Sequence, residues 1–203
     1  MSSANGAPIV TASETAPSSP SGDAPSLRLR GRCYRLGDDV PHMGGVVPMR
    51  IVSEMRFDPA TIVPHLFEET DPGFHERCRP GDLIVTGRNF GLGPKMQGYI
   101  AMKALGLGLV CESMSFLAYR EAIGLGLPVL TGCAGVTKAC ETGDDVEVDF
   151  RSGRFVNHSR RIELDLPAVP ASLLELVSIG GTSAWLKHWW SHQQAARAEP
   201  SGG

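Results

Sequence analysis

A run of alternating strand and helix patterns in the middle of the chain constrains the fold most strongly. Residues 82–86 (DLIVT), 107–111 (LGLVC) and 127–131 (LPVLT) are short apolar runs of strand length. Residues 94–105 and 115–124 lie between them and have the spacing of helices. This order predicts a β-α-β-α-β unit with parallel strands. The 24 glycines and 15 prolines agree with an α/β fold, because they are many for a helical bundle.

The pattern changes after residue 143. Residues 145–150 and 154–158 alternate apolar and polar side chains around a Gly-containing turn, which predicts a β-hairpin. Residues 27–36 also alternate and predict a half-buried strand. The remaining predictions are helices at 58–67, 71–78, 171–179 and 183–192, a strand at 161–166 and a short strand at 46–47.

The two ends of the chain differ in composition from the rest. Residues 1–26 contain no Lys or Arg and are rich in Ser, Ala and Pro, so they bury too little to offset the entropy of ordering. We expect a disordered tail at 1–26, one folded domain at 27–192 and a second disordered tail at 193–203. The first tail lacks the basic start and apolar centre of a signal peptide.

Charge and cysteine content exclude several classes of protein. The 19 basic and 22 acidic residues give a net charge of −3, which argues against a nucleic-acid-binding module. No apolar run approaches the roughly 18–20 residues that a membrane span needs. The five cysteines are odd in number and none has C-x-x-C spacing, so we expect reduced thiols in a cytoplasmic protein and no disulfide framework.

The glycine-rich turn at residues 87–93 (GRNFGLG) leads from a predicted strand into a predicted helix. Such a turn can present backbone N–H groups to an anion, and Lys95 adds a positive charge. Asn89, Gly91 and Gly93 are therefore candidate substrate-binding residues. The alternative is a tight turn that needs small residues for packing. The G-x-x-x-G-x-G spacing differs from the dinucleotide motif G-x-G-x-x-G and argues against a free-standing nucleotide-binding module.

Residues 80–130 resemble the small subunit of 3-isopropylmalate dehydratase and homoaconitase, the swivel domain of the aconitase superfamily. The matching segments are PGDLIVTGRNFGLG, AMKALGLGLVCES and AYREAIGLGLPVL, where the family shows PGDIIVAGxNFGCGSSREHA, a helix, a strand, SFARIF and N-x-G-L-P. GDDV, VVP, GDDVEVDFRSGRFVN and LLELVSIGGTSAWLK extend the resemblance over about residues 27–190. It implies a swivelling β/β/α domain of the aconitase C-terminal type, with the hairpin and C-terminal helices added.

The resemblance also implies a function. The family's enzymes are two-chain hydro-lyases that dehydrate and rehydrate a 2-alkylmalate-type dicarboxylic acid, as in leucine and branched-chain amino acid biosynthesis. The large subunit would carry a [4Fe–4S] cluster, on which an iron acts as a Lewis acid. The present chain would bind no cluster, because its cysteines lack cluster spacing. These cysteines are Cys33, Cys78, Cys111, Cys133 and Cys140.

Four polar clusters depart from the family pattern. The family's Ser-Ser-Arg-Glu-His falls on residues 94–98 (PKMQG), and its first serine, the proton-abstracting base, falls on Pro94. The family's turn cysteine falls on Leu92, and the arginine of SFARIF falls on Phe116. The family's Asp-Thr-Asp falls on residues 41–44 (PHMG). Because these changes occur together on an intact scaffold, they differ from occasional surface drift, and the apolar replacements suggest a more apolar pocket or a site that no longer binds a dicarboxylate.

Lys95 and His42 are the two side chains that could replace the missing base. A desolvated lysine with a lowered pKa can abstract a proton, and a histidine serves as acid or base near neutral pH. Arg50 is a spare cation that could bind a carboxylate. The alternative interpretation is that Lys95 is merely an exposed lysine, His42 a loop histidine and Arg50 a solvated surface arginine. For the whole chain, the alternative is a degenerate, non-catalytic subunit that binds or stabilises a partner.

Two further groups of residues have structural interpretations. Trp185, Trp189 and Trp190 have helical spacing, and we expect them to pack the last helix on the sheet or to face the partner subunit. The remaining histidines are too scattered along the chain to predict a metal site. They are His65, His75, His158, His188 and His192.

Overall fold

A computed structural model describes residues 27–93 and 96–198, with side chains up to residue 194. The predicted tail at 1–26, the last part of the predicted C-terminal tail, and Pro94 and Lys95 lie outside the described residues. The strands are β1 (Arg28–Arg35), β2 (Leu83–Thr86), β3 (Gly108–Cys111), β4 (Val129–Leu130), β5 (Asp145–Asp149), β6 (Arg154–Asn157) and β7 (Ile162–Asp165).

Seven α-helices accompany the strands. They are α1 (Met49–Ser53), α2 (Pro59–Ile62), α3 (Phe74–Arg77), α4 (Gln97–Ala104), α5 (Phe116–Leu125), α6 (Ala171–Ser178) and α7 (Thr182–Ala198), all within the described ranges. Short 3-10 helices occur at Val63–His65 and Val136–Lys138. Asp58 caps α2 by accepting a hydrogen bond from the Ala60 N–H, and Pro59 takes the first helical position.

The strands form one seven-stranded sheet in the order β4-β3-β2-β1-β5-β6-β7. The pairs β1-β2, β2-β3 and β3-β4 are parallel. The pairs β1-β5, β5-β6 and β6-β7 are antiparallel, so β1 has one neighbour of each kind. The predicted β-α-β-α-β unit is confirmed as β2-α4-β3-α5-β4, and the predicted hairpin is confirmed as β5-β6. The sequence predicted β1 as a strand but did not place it between the two halves of the sheet.

The two halves of the sheet differ in burial as their sequence patterns predict. Every residue of β2 and β3 is buried, which is typical of parallel strands with both faces covered. Strand β5 alternates half-buried and buried residues, which is typical of a sheet with one solvated face. Buried Asp82 links β1 to the start of β2, since its carboxylate accepts hydrogen bonds from the backbone N–H groups of Arg32 (2.7 Å) and Arg79 (2.8 Å).

Three details differ from the sequence predictions. The chain forms α1 where no element was predicted, and residues 46–47 form no strand beyond one isolated bridge between Met43 and Val47. The last helix was predicted to end at His192, which is too early, because α7 continues to Ala198. No described helix has the combination of length and apolar character that crossing a bilayer requires.

Candidate active site

Three loops meet at the edge where the parallel strands end, the place where open α/β sheets bind small ligands. We call them the first loop (residues 36–48, after β1), the glycine turn (87–93, after β2) and the third loop (112–115, after β3). The Phe90 N–H donates to the carbonyl of Ser113 (3.0 Å), and the Gly91 N–H donates to that of Val40 (2.8 Å). The glycine turn is therefore fixed between the other two loops.

A set of polar contacts between Asp38, Asp39, Arg88 and Asn89, which we call the clamp, holds the start of the glycine turn. The Asp38 carboxylate accepts the Arg88 backbone N–H (2.8 Å) and two guanidinium N–H groups (3.0 and 2.7 Å). These bonds hold the pKa of Asp38 below its ordinary value. The Asn89 side-chain amide donates to Asp39 (2.7 Å). The clamp is the contact that links the GDD segment (residues 37–39) to the GRN segment (87–89).

The predicted substrate-binding residues of the glycine turn already use much of their hydrogen-bonding capacity. The Asn89 N–H donates to the Ser113 hydroxyl (2.9 Å), and the Gly91 N–H is bonded to Val40 as described above. Gly91 has φ +72°, and a Cβ there would lie 2.2 Å from the Tyr99 hydroxyl. At Gly91, backbone conformation and packing both require glycine. Gly93 has φ +98° and more room, since a Cβ there would lie 3.9 Å from Met43 Cε.

His42, one of the two candidate bases, is completely buried. Its Nε2 accepts a hydrogen bond from the Gly98 N–H (3.1 Å), which is one of the first N–H groups of α4 and has no partner within the helix. A ring nitrogen that accepts must be unprotonated, so we assign a neutral ring with its proton on Nδ1. The ring also packs edge-on against Tyr99, with centroids 5.1 Å apart. This geometry makes His42 the group that fixes the start of α4.

Arg50, the candidate carboxylate-binding cation, is half-exposed on α1 and paired with Glu68. Its Nη2 donates to both carboxylate oxygens of Glu68 (2.9 and 2.6 Å) and lies 3.2 Å from His65 Nδ1. These bonds hold the pKa of Glu68 below its ordinary value, with Arg50 as the main cause. Arg50 would therefore have to exchange Glu68 for a substrate carboxylate. Lys95, the other candidate base, lies outside the described residues.

The cysteines are buried thiols that form no disulfide. Burial raises the pKa of Cys111 and of Cys133 to about 12, which disfavours the thiolate that an iron ion would need. Within residues 27–93 and 96–198, no three His, Cys, Asp or Glu side chains are grouped so that they could hold a metal ion. The described thiols therefore do not fit an iron–sulfur cluster.

Comparison with known proteins identifies the family, although no protein-family model matches the chain. The 3-isopropylmalate dehydratase small subunit 1 of Methanopyrus kandleri is 36% identical over 161 residues, which cover 78% of this chain and 92% of that protein. A 3-isopropylmalate dehydratase small subunit from Halothermothrix orenii is 33% identical over 168 residues, covering 82% and 99%. This chain belongs to the 3-isopropylmalate dehydratase small-subunit family. The resemblance seen in the sequence is thereby confirmed.

Two other relatives extend the comparison. The 2,3-dimethylmalate dehydratase small subunit of Eubacterium barkeri is 32% identical over 157 residues, covering 76% of this chain and 94% of that protein. The crystal structure of 3-isopropylmalate dehydratase from Methanocaldococcus jannaschii matches with a TM-score of 0.75 and 27% identity, over 83% of this chain and 99% of that one.

The swivel-domain fold and the assignment to a hydro-lyase subunit are confirmed, and the non-catalytic alternative is not favoured. Membership of a small-subunit family implies a large-subunit partner.

His42 and Gly98 together explain one departure from the family motif. The motif has histidine at the position of Gly98. Here a Cβ at Gly98 would lie 2.3 Å from Val46 Cγ1 and 3.1 Å from His42 Cε1. Val46 and His42 of the first loop therefore fill the space beside the start of α4, and residue 98 has to be glycine. In this chain, the imidazole beside the start of α4 comes from His42 of the first loop.

Four apolar side chains are exposed at the same edge of the sheet, and we call them the apolar rim. They are Leu92 (44% exposed), Met96 (37%), Phe116 (73%) and Leu117 (53%). The motif of the small-subunit family has cysteine at the first of these positions and arginine at the second and third. Apolar side chains therefore stand at two positions of this edge where the motif has cations.

Sequence reasoning missed two polar residues beside His42. Gln97 and Tyr99 are buried, and among the described residues neither the Gln97 Oε1 nor the Tyr99 hydroxyl has a hydrogen-bond partner. Burial is the main cause that raises the pKa of Tyr99. Gln97 stands where the family motif has glutamate, so alignment with the motif was the signal that could have identified it. For Tyr99 the sequence offers no such signal.

Proposed function

We propose that this chain closes over its large subunit and helps to dehydrate and rehydrate a 2-alkylmalate-type dicarboxylic hydroxy acid. The observation that carries this proposal is the clamp, which fixes the glycine turn at the carboxyl edge of the parallel strands. The relatives support the substrate class, since their names refer to isopropylmalate, citramalate and dimethylmalate. The free cysteines and the biosynthetic relatives support a cytoplasmic location.

We assign the [4Fe–4S] cluster that the resemblance implies to the large subunit. The described thiols of this chain are buried and are not grouped with other metal-binding side chains. In this assignment the present chain contributes substrate contacts and a proton acceptor, and it holds no metal for the reaction.

We assign the proton-abstracting role to the Lys95 Nζ. Dehydration requires a base for the proton on the carbon next to the hydroxyl-bearing carbon. Arg88 is held in the clamp, and the Nε2 of buried His42 already accepts from Gly98. Lys95 is the remaining basic side chain in the stretch between the glycine turn and α4. Lysine acts as a base when desolvation lowers its pKa, and closure of the large subunit over the apolar rim would supply that desolvation.

The other residues of the edge receive binding and positioning roles. The apolar rim suits the alkyl group of the substrate, because Leu92, Met96 and Phe116 offer exposed apolar surface. Arg50 would bind a substrate carboxylate after exchanging Glu68 for it. Asn89, Gly91 and Gly93 shape the turn beneath the substrate, and His42 positions α4. Gly93 has more room than Gly91 for a ligand to approach its backbone.

The test is an anaerobic dehydration assay of the chain co-purified with its large subunit after reconstitution of the cluster. Alkene formation is followed by ultraviolet absorbance with 2- and 3-isopropylmalate, 2-methylmalate, 2,3-dimethylmalate, citrate and homocitrate. We expect turnover of the alkylmalates and little turnover of citrate and homocitrate, whose additional carboxylate does not suit an apolar rim. A stable complex that turns over none of these acids would contradict the proposed reaction. Failure to form a complex would contradict the two-subunit assignment.

Replacing Lys95 tests the assignment of the base. We expect K95A to lower kcat by about 10² to 10⁴-fold with little change in KM, because the general base contributes to the chemical step. The matched control is K187A, which removes an exposed lysine of α7 far along the chain from the glycine turn. Normal turnover by K95A, or an equal loss in K187A, would show that Lys95 is not the base.

A further inference from the structure

Two histidines in the middle of α7 lie close enough to bind one ion. His188 and His192 are four residues apart and therefore share a face of the helix. A hydrogen bond of 3.1 Å joins their Nε2 atoms, and the ring centroids are 4.4 Å apart with the ring planes at 62°. His192 is exposed and His188 is half-buried, so both rings lie at the protein surface. The histidines are scattered along the sequence, but the helix brings these two together.

The separation of the two nitrogens matches a chelated metal ion. Zinc–imidazole bonds are about 2.0–2.1 Å long, so an ion bonded to both nitrogens at an angle of about 90–109° keeps them about 2.9–3.4 Å apart. The observed 3.1 Å falls within this range. We propose that His188 and His192 chelate a divalent cation of borderline softness, such as Zn²⁺, Ni²⁺ or Cu²⁺, through their Nε2 atoms. Imidazole is a preferred ligand for these ions.

The surroundings of the pair allow this binding. Helix α7 contains no Asp or Glu that would compete as a partner for either imidazole. In the described part of the chain no third His, Cys, Asp or Glu completes a cluster with the pair. The chelate therefore has two protein ligands and leaves the remaining coordination positions to water or to a donor from another molecule. Because both ligands are in place only when residues 188–192 are helical, binding also stabilises this part of α7.

The tryptophans of the chain provide a built-in reporter. All three, Trp185, Trp189 and Trp190, lie on α7 within one turn of the histidine pair. Their side chains are exposed to between 39% and 56%. Paramagnetic Ni²⁺ or Cu²⁺ held by the histidine pair would quench the tryptophan emission at short range. Zn²⁺ would compete for the same two histidines without quenching that emission.

The test is a titration of the untagged full-length chain with Ni²⁺ or Cu²⁺, followed by tryptophan emission. We expect saturable quenching by one ion per chain that Zn²⁺ reverses. Removal of one ligand in H192Q or H188Q should weaken binding by about 10²-fold, because the second ligand binds intramolecularly. The matched control H158Q removes a histidine that pairs with Glu147 on the sheet and should bind like the wild type.

Two outcomes would overturn the proposal. One is quenching that does not saturate, and the other is the same binding midpoint for the wild type and H192Q. Far-UV circular dichroism checks that each variant keeps its helix content, and exposed His192 can be replaced without disturbing the core. The titration uses no substrate and no large subunit, so its result is independent of the proposed dehydratase activity.

Discussion

Two adjacent segments, residues 87–91 and residues 92–98, differ sharply in how the rest of the protein holds them. In residues 87–91, the clamp and the neighbouring loops satisfy the backbone N–H groups of Arg88, Asn89, Phe90 and Gly91. In the described part of residues 92–98, two side chains are exposed and apolar, and the buried Gln97 Oε1 lacks a partner among the described residues. The first part matches the family motif, and the second part departs from it. The comparison shows that the segment held by the clamp and the segment that departs from the family motif are separate and adjacent.

A physical reason explains why the two segments can change independently. The clamp is formed by the first loop and the start of the glycine turn, so it does not depend on which side chains follow Gly91. The start of α4 is fixed separately, by the bond from the Gly98 N–H to His42. The exposed side chains of Leu92 and Met96, which lie between these two fixed points in the sequence, take part in neither of them. Each fixed point can therefore be tested by itself.

Breaking the clamp should have the largest effect on stability. A Cβ at Gly87 would lie 1.9 Å from the Asp38 carboxylate, so G87A must displace that group from Arg88. We expect G87A to lower the free energy of unfolding by about 2–4 kcal/mol, because it combines a steric clash with the loss of three hydrogen bonds. Denaturant-induced unfolding measures this loss.

The matched control for this prediction is G37A in the first loop. A Cβ at Gly37 meets no atom within 4 Å, and its φ is not in the left-handed region. We expect G37A to change the free energy of unfolding by less than about 0.5 kcal/mol. Equal losses in G87A and G37A would show that the clamp does not fix the turn.

Removing the second fixed point should have a smaller but still clear effect. H42A deletes a buried ring and leaves the Gly98 N–H without its acceptor. We expect a loss of about 2–3 kcal/mol in the free energy of unfolding, from an unsatisfied buried donor and a cavity. The surface variant H158Q should lose less than about 0.5 kcal/mol, since it breaks an exposed pair. A loss in H42A no larger than that in H158Q would contradict the positioning role.

The clamp also predicts a dependence of stability on pH. The folded-state pKa of Asp38 is below its ordinary value of 3.8, chiefly because its carboxylate accepts the Arg88 N–H. Its contribution to stability is therefore complete above pH 3.8 and is lost as the pH falls through the folded-state pKa. D38N should be less stable than the wild type near neutral pH, and the difference should shrink below pH 3.8. Thermal melts from strongly acidic to neutral pH measure it, and a constant difference would contradict this account.

Much of the fold could be predicted from the sequence, because periodicity and apolar runs report burial directly. Strands β2 and β3 are completely buried and were predicted from their unbroken apolar runs, and the hairpin was predicted from its alternation. The position of β1 between the two halves could not be predicted, since pairing partners leave no local pattern. Helix α1 was missed because it has five residues, too few to show a period.

The site was predicted less completely than the fold. The motif located the glycine turn, but it could not show that the N–H groups of Asn89 and Gly91 are bonded within the protein. His42 was singled out because it stood where the family has acidic residues, yet its burial depends on residues 46 and 98, the second of them distant in sequence. Such contacts between distant residues decide whether a polar side chain is free to react, and no sequence period encodes them.

The smallest effect is expected at Tyr99, whose ring packs against His42 and whose hydroxyl lies next to Gly91. This hydroxyl is buried and has no hydrogen-bond partner among the described residues, whereas its ring packs against the His42 ring. An unsatisfied buried hydroxyl costs about 1–3 kcal/mol, so Y99F should keep or slightly raise the free energy of unfolding while retaining the ring contact. Denaturant-induced unfolding of Y99F and H42A, side by side, gives the comparison. If Y99F lost as much as H42A, the hydroxyl would have a bonding partner, and the second segment would be held by more than His42.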